Sequence, residues 1–350
     1  MTQVLEVSGL SVSFPRRAGL LGKSQPLRVV ENVSFEVGKG EVVALVGESG
    51  SGKSTIARAV LRLLPIDDGR ITLADVDITT LSQRALRPHR RNAQLVFQDP
   101  YSSLDPSMTA IEIVEEPLRG FAMSREARLR SAQELLASVG LAGVEGRYPY
   151  EFSGGQRQRI AIARALAPQP ALIICDEPVS ALDLSTQNQI ISLLDSLRQS
   201  LGVSYLFISH DLSVVRRIAD RVLVMYAGEI VEEGPTERVF RDPVHPYTLA
   251  LLSAVPTVAA DRSKQAKRIV LEGDLPVPGA PPPGCRFHTR CPFAMDICRS
   301  EVPERTEFAH GVSGRCHLHT SGSTLGFSGL TQFADNAMAS TDRNRGRTSI

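Results

Sequence analysis

The chain has 350 residues, enough for one large domain and a smaller second one. Its 39 Lys and Arg residues nearly balance its 38 Asp and Glu residues, which excludes the sustained basic field that attracts nucleic-acid backbones. The amino terminus lacks the regions of a signal peptide, and no apolar run reaches the roughly 18 residues of a membrane-spanning helix. We therefore expect a cytoplasmic protein that neither crosses a membrane nor binds nucleic acid.

The predicted elements, taken in chain order, begin with two strands. Residues 4–14 and 29–37 alternate polar with apolar side chains, which is typical of antiparallel strands, and a loop is expected between them. Buried parallel strands are then predicted from the short apolar runs at residues 42–46, 172–175, 205–208 and 222–225. Crossover helices are predicted at residues 54–64, 157–166 and 186–201. The pattern indicates an α/β fold, with a doubly wound core and an antiparallel side sheet.

A glycine-rich segment follows the strand that ends at Val46 and opens the next helix. It consists of Gly47, Glu48, Ser49, Gly50, Ser51, Gly52, Lys53, Ser54 and Thr55. Its glycines would let backbone N–H groups turn inward around phosphate oxygens, and the helix N-terminus adds positive potential. Lys53 would contact the β- and γ-phosphates, and Ser54 would bind Mg²⁺. The complete spacing in this context favours a phosphate-binding loop over a structural turn.

Two acidic residues, Asp176 and Glu177, follow the predicted strand at residues 172–175. A strand tip would present them toward the nucleotide. Asp176 suits the Mg²⁺ role of P-loop ATPases, which leaves Glu177 to orient or deprotonate the attacking water. Alone, such a pair would indicate only a solvated turn, so this prediction depends on the glycine-rich segment. Cys175, inside the apolar run, is expected to pack in the core.

The segment from Phe152 to Arg159 resembles the signature sequence of ABC-type ATPases. It contains Ser153, Gly154, Gly155 and Gln156 just before a predicted helix. Ser153 and the glycines could donate to a γ-phosphate that the P-loop of another subunit holds. This resemblance implies a helical signature subdomain within the fold.

Other positions match the same family pattern. Gln98 resembles the Q-loop glutamine, Asp183 ends a segment like the D-loop, and His210 resembles the switch histidine. The resemblance implies that Gln98 contacts Mg²⁺ and that His210 reaches the γ-phosphate. Phe14 resembles the aromatic residue that stacks on adenine, with core packing as the alternative.

A narrower resemblance is to the ATP-binding subunits of oligopeptide and dipeptide importers. It rests on residues 98–106, 245–248 and 284–292. It implies an ATPase that uses ATP and Mg²⁺ to energise peptide uptake from the cytoplasmic side of the cell (inner) membrane. The implied partners are two transmembrane permease subunits, a second ATP-binding subunit and an extracytoplasmic substrate-binding protein. Nickel or glutathione import, a soluble ABC ATPase and an inactive regulatory module are the alternatives.

Four cysteines mark the end of the predicted folded region. The expected domains are an ATP-binding cassette at residues 1–255, an extension at 256–319 that starts with a proline-rich connector, and a disordered tail at 320–350. In a reducing cytoplasm, a cysteine cluster indicates a metal rather than disulfides.

The cysteines of this cluster are Cys285, Cys291, Cys298 and Cys316. The family resemblance implies that they bind a [4Fe-4S] cluster, and zinc or metal-free packing are the alternatives. No predicted nucleotide-binding residue lies near them in the sequence. The cluster is therefore expected to have a structural role, and a direct part in ATP hydrolysis is not implied.

Overall fold

The computed structural model describes residues 2–15, 26–255, 269–277 and 279–319. The chain divides into two compact units. Unit 1 is Met1–Leu10, Asn32–Ala44 and Ser54–His210, and unit 2 is Ser11–Glu31, Leu45–Lys53 and Asp211–Ile350. Most of the loop predicted between the first two strands, and all of the predicted tail, lie outside the described residues. The domain boundaries inferred from the sequence stay predictions.

Unit 1 contains a parallel arrangement of strands. Its elements are β1 Gln3–Phe14, β2 Leu27–Gly38, β3 Val42–Val46, α1 Lys53–Val60, β4 Asp68–Leu73, β5 Val76–Asp77, α2 Gln83–Leu86, β6 Ala93–Val96, α3 Pro100–Ser103, α4 Ala110–Glu115, α5 Arg125–Ser138, α6 Gly154–Leu166, β7 Leu172–Asp176, α7 Leu184–Leu201 and β8 Ser204–Ser209. Four of these elements, β1, β2, β3 and α1, also have residues in unit 2. β6, β7 and β8 are adjacent and parallel, with Asp176 opposite Ile208. Because β8 is buried throughout and β7 as far as Cys175, their continuous apolar runs correctly predicted central strands.

The first two strands belong to a four-stranded sheet in the order β2-β1-β4-β5. β4 and β5 form an antiparallel hairpin whose turn residues Ala74 and Asp75 adopt φ angles of 47° and 63°. Positive φ at both central positions matches the right-handed twist of the flanking strands. The structure thus confirms the predicted side sheet and adds two short strands to it.

The helices α4, α5 and α6 pack on one another in unit 1. Ile113, Leu136 and Ile160 are among the fully buried side chains at these contacts. This cluster corresponds to the predicted helical signature subdomain. By contrast, α1 ends before its predicted end at residue 64, and Arg62 beyond it adopts a left-handed φ of 54°.

Unit 2 contains antiparallel strands. Its further elements are α8 Leu212–Ile218, β9 Arg221–Tyr226, β10 Glu229–Pro235, α9 Thr236–Arg241, α10 Pro246–Ser253, α11 Ile297–Ser300, β11 Arg305–Glu307 and β12 Ser313–Arg315. β10 pairs antiparallel with β9 and with β12, and β11 pairs antiparallel with β12. The predicted strand at residues 222–225 is therefore present, but its pairing with β10 is antiparallel. The two-residue turn Ala227-Gly228, with φ angles of 45° and 90°, makes β9 and β10 a hairpin.

An aromatic cluster joins the extension to the rest of unit 2. The Phe287 ring lies 5.1 Å from the Tyr226 ring and 5.4 Å from the Tyr247 ring, measured between centroids. All three side chains are almost completely buried. Burial of such large rings contributes most of the apolar contact in a small core, so the extension is part of this core.

Candidate active site

The glycine-rich segment follows β3 and leads into α1, and two of its glycines, Gly47 and Gly52, lie against β9 within unit 2. Gly47 and Gly52 adopt φ angles of 152° and 109°, which favour glycine. A Cβ atom on Gly47 would lie 2.2 Å from the backbone oxygen of Met225. On Gly52 it would lie 2.8 Å from the Met225 methyl carbon. These two positions therefore require glycine for close approach as well as for conformation.

Lys53 folds back over the loop to which it belongs. Its Nζ donates to the backbone oxygen of Gly47 at 2.7 Å and to that of Glu48 at 2.8 Å. The side chain is only 5% exposed, and Lys53 is also the first residue of α1. An ammonium group and a helix N-terminus thus occupy the same loop, which favours an anionic ligand.

A second group of predicted residues comes together in unit 1, at the carboxyl end of β7. The hydroxyl of Ser54 donates to Oδ1 of Asp176 at 3.1 Å. The Gln98 amide nitrogen donates to Oε2 of Glu177 at 2.9 Å. Hydroxyl, carboxylate and amide oxygens are the hard donors that Mg²⁺ prefers, so this set fits the predicted ion.

The Glu177 carboxylate lies between two of the predicted catalytic side chains. Gln98 contacts one of its oxygens, and Nδ1 of His210 lies 3.2 Å from the other. Glu177 has a φ angle of 50°, and its backbone N–H donates to the Ile208 oxygen at 3.0 Å. A left-handed non-glycine residue costs on the order of 1–3 kcal/mol and is often found in active sites. Here it directs a carboxylate toward Gln98 and His210.

The predicted signature and D-loop residues form another group in unit 1, at the starts of α6 and α7. Ser153 and Gln156 form a capping box on α6, in which the Ser153 N–H donates to the Gln156 side chain at 3.0 Å. Gly155 is buried, and a Cβ atom there would lie 2.3 Å from Cγ2 of Thr186. Asp183 caps α7. The backbone N–H and the hydroxyl of Thr186 donate to its carboxylate, and these hydrogen bonds lower the pKa of Asp183. Asp183 therefore has a structural role that its sequence motif did not indicate.

The remaining predicted nucleotide contacts occupy less constrained positions. Ser49 and Gly50 are exposed, whereas Phe14 is half-buried in β1. The predicted contact of Phe14 with adenine, and that of Ser153 with the nucleotide of a second subunit, stay predictions.

Two residues outside the predicted site hold the Glu48 residue of the glycine-rich segment. The Glu48 N–H donates to the hydroxyl oxygen of Tyr247 at 2.8 Å. Nη1 and Nη2 of Arg290 donate to the two Glu48 carboxylate oxygens at 2.8 and 3.3 Å. Arg290 precedes Cys291, so the cysteine region contacts the glycine-rich segment, a contact that the sequence analysis did not predict. The structural role expected of the cysteine cluster stays a prediction. Arg290 lies in residues 284–292, which match the importer subunits, but nothing in the sequence linked it to Glu48, because 242 residues separate the two.

The four cysteines of the extension lie in one neighbourhood of unit 2. The Cys285 N–H donates to the Cys298 oxygen at 2.9 Å. Burial, with a smaller contribution from the nearby Cys285 and Cys298, raises the pKa of Cys316 to about 12. Four thiols are a suitable donor set for an iron–sulfur cluster or zinc. However, in the part of the chain that the structure describes, no group of three or more His, Cys, Asp or Glu side chains is arranged to hold a metal ion.

The fold and these groups define a class of protein. A P-loop nucleoside triphosphatase has a glycine-rich loop between a strand and a helix, a hydroxyl–carboxylate pair for Mg²⁺ and a carboxylate at the end of a parallel strand. This chain has all three, and Ser54 and Asp176 form the pair.

Comparison with known proteins identifies the family. Residues 30–180 match the ABC transporter family, and residues 231–298 match the "oligopeptide/dipeptide transporter, C-terminal region". The chain is 49% identical to the oligopeptide transport ATP-binding protein AppF of Bacillus subtilis over 321 residues, which cover 91% of this chain and 98% of that one. It is also 49% identical to a probable peptide ABC transporter ATP-binding protein of Sinorhizobium fredii, with 90% of each chain covered. The chain therefore belongs to the ABC transporter family and is an ABC-type ATPase.

Solved structures agree with this assignment. The dimeric ATP-binding cassette MJ0796, bound to ADP and inorganic phosphate, superposes with a TM-score of 0.59 at 32% identity. The match covers 66% of this chain and 98% of that cassette. The predicted α/β cassette fold is thus confirmed. Within the described ranges, no helix has the length and apolar character needed to cross a membrane.

Proposed function

We propose that this chain binds and hydrolyses ATP to energise the uptake of oligopeptides or dipeptides. The observation that carries this proposal is the match of residues 231–298 to the C-terminal region of oligopeptide and dipeptide transporters. Relatives named for peptide transport support it, because they align over about nine-tenths of the chain, 91% in one case. Nickel and glutathione are the alternative cargoes.

The proposed assembly follows from membership in a transporter family. The chain would act at the cytoplasmic face of the inner membrane with two transmembrane permease subunits. A second ATP-binding subunit would complete the motor, since the related cassette MJ0796 was solved as a dimer. An extracytoplasmic binding protein would deliver the cargo.

In the proposed reaction, water attacks the γ-phosphorus and the bond to the leaving oxygen of ADP breaks. The Glu177 carboxylate takes a proton from the water, while Gln98 and His210 hold its two oxygens in place. Lys53 supplies positive charge within the phosphate-binding loop. Mg²⁺, for which Ser54, Asp176 and Gln98 offer oxygen ligands, would neutralise charge on the phosphates.

The cargo is tested with the complete transporter reconstituted in proteoliposomes that contain ATP. We expect uptake of labelled peptides, and no uptake when the ATP-binding subunit carries Lys53→Ala. Uptake of nickel or glutathione with no peptide uptake would contradict the peptide assignment. ATP hydrolysis that needs no permease and supports no transport would indicate a soluble ABC ATPase.

We also propose that Cys285, Cys291, Cys298 and Cys316 bind a [4Fe-4S] cluster. The grouping of four cysteine thiols in unit 2 supports this proposal. Such a ligand set should give about four irons per chain after anaerobic purification. Cys316→Ser should remove most of the iron. Zinc in place of iron would contradict the cluster, and protein without any metal would leave metal-free packing.

A further inference from the structure

Glu48 places a negative charge inside the loop that is proposed to bind phosphates. Its side chain is 28% exposed, so water screens the charge only in part. Like charges repel with an energy that falls with distance and rises as the local dielectric falls. An unpaired Glu48 would therefore oppose the binding of a nucleoside triphosphate.

The guanidinium group of Arg290 pairs with this carboxylate through two hydrogen bonds, at 2.8 and 3.3 Å. The Arg290 side chain is 8% exposed. A two-point pair fixes the orientation of the carboxylate as well as neutralising its charge. In addition, the Glu48 N–H donates to Tyr247, and Lys53 donates to the Glu48 backbone oxygen. The carboxylate, the N–H and the backbone oxygen of Glu48 therefore all form hydrogen bonds.

The chain around Arg290 is itself held firmly against other parts of unit 2. We call residues 285–291 the cysteine-flanked segment, because Cys285 and Cys291 are its ends. Arg286 in this segment donates to the Ala227 oxygen at 2.5 Å and pairs with Glu229 at 2.9 Å. The next residue of that turn, Gly228, donates its N–H to the Ser51 oxygen at 2.9 Å. The segment thus supports the phosphate-binding loop at two places.

We propose that Arg290 is a positioning residue for ATP binding, which neutralises Glu48 and holds it in the phosphate-binding loop. The extension would then contribute to nucleotide affinity through a single ion pair. This inference rests on the proposed role of residues 47–55 in phosphate binding. It goes beyond that role because it assigns part of the affinity to a residue outside the loop.

The test measures the dissociation constants of MgATP and MgADP for the purified full-length chain. The variants are Arg290→Gln, Glu48→Gln and the double variant. The matched control is Arg299→Gln, since Arg299 also follows the pattern of an arginine beside a cysteine but is exposed. Lys53→Ala tests the role of the loop itself, so the failure of that role can be distinguished from the failure of this inference.

We expect Arg290→Gln to weaken MgATP binding about tenfold or more, as one uncompensated charge near phosphates would. Glu48→Gln should bind at least as tightly as the wild type, and the double variant should recover most of the lost affinity. The loss should be larger for ATP than for ADP, because ATP carries one more negative charge. Arg299→Gln should leave both constants unchanged.

Two results would overturn the inference. One is an Arg290→Gln variant that binds ATP as tightly as Arg299→Gln. The other is a double variant no better than Arg290→Gln, with equal losses for ATP and ADP, which would indicate a purely structural role. If Arg290→Gln does not fold, Arg290→Lys keeps the charge but loses the planar two-point geometry. Its affinity should then remain close to that of the wild type, and a loss as large as that of Lys53→Ala would refute charge neutralisation.

Discussion

Replacing Glu177 with Gln tests the proposed general base with the smallest change of shape. Losing a positioned general base slows a reaction by about a hundred- to ten-thousand-fold. That range corresponds to about 3–5 kcal/mol in the activation barrier. In the Glu177→Gln variant an NH₂ group replaces one carboxylate oxygen, so the side chain cannot accept the proton of the attacking water.

The same change should affect stability far less than it affects the rate. Gln98 is exposed and the His210 side chain is 58% exposed, so water can replace a lost contact. Losing a solvent-accessible hydrogen bond costs about 1 kcal/mol. The φ angle of 50° is as unfavourable for Gln as for Glu, so the backbone strain remains. We therefore expect the loss to be in catalysis, with nucleotide affinity and folding retained.

The assay is single-turnover hydrolysis by the reconstituted transporter at saturating MgATP, together with the nucleotide dissociation constant. Glu134→Gln is the matched control, because Glu134 is an exposed residue of α5 and its replacement removes the same charge. Hydrolysis by Glu177→Gln at a rate close to that of the control would refute the role of Glu177. Equal losses of nucleotide affinity and rate would show that the residue binds rather than catalyses.

Two further predictions concern unit 2. Gly47→Ala should weaken nucleotide binding and lower the melting temperature, because the new methyl group would lie 2.2 Å from the Met225 oxygen. Gly120→Ala is the control, because no atom lies within 4 Å of the Cβ position there. Equal behaviour of the two variants would contradict the steric reason. Burial raises the pKa of Glu232 to about 7 although the Val244 and His245 N–H groups donate to it, so the folded state keeps a proton that the unfolded state loses above its ordinary pKa of 4.5. Stability should therefore fall by about 1 kcal/mol per unit as pH rises from 4.5 to 7, and Glu232→Gln should abolish this contribution. Burial also lowers the pKa of His245 to about 3, which makes stability rise with pH and so opposes the effect of Glu232. The measured quantity is therefore the difference between the melting temperatures of Glu232→Gln and the wild type across this pH range. A difference that does not change with pH would contradict the prediction.

The elements that the sequence predicted correctly are those in which local pattern and tertiary environment agree. β8 is buried on all sides, and its continuous apolar run has no other favourable location. β6 was not predicted, since its four residues Ala93–Val96 include the polar Gln94. The hairpin of β9 and β10 was missed because its turn contains Ala227 at a φ angle of 45°, and alanine carries no turn signal there.

The predicted site divides according to how far each interaction extends along the chain. The phosphate-binding loop was predictable because its glycines, Lys53 and Ser54 act through backbone geometry that neighbouring residues create. Gln98 and His210 were identified by resemblance, whereas Glu177 was identified by its position at the end of a predicted strand. The structure brings the side chains of Gln98 and His210 into contact with that of Glu177.

Arg290 and Tyr247 could not be predicted in this way, because their contacts with Glu48 span 242 and 199 residues. The resemblance of residues 284–292 to importer subunits assigned no role to Arg290. Its role depends on burial, which the folded core of unit 2 provides. That core packs Phe287 against both Tyr226 and Tyr247 and so sets the position from which Arg290 reaches the loop. The residues that would touch the nucleotide therefore carry a local signature, whereas the residues that fix the charge and position of Glu48 become visible only once distant segments are packed together.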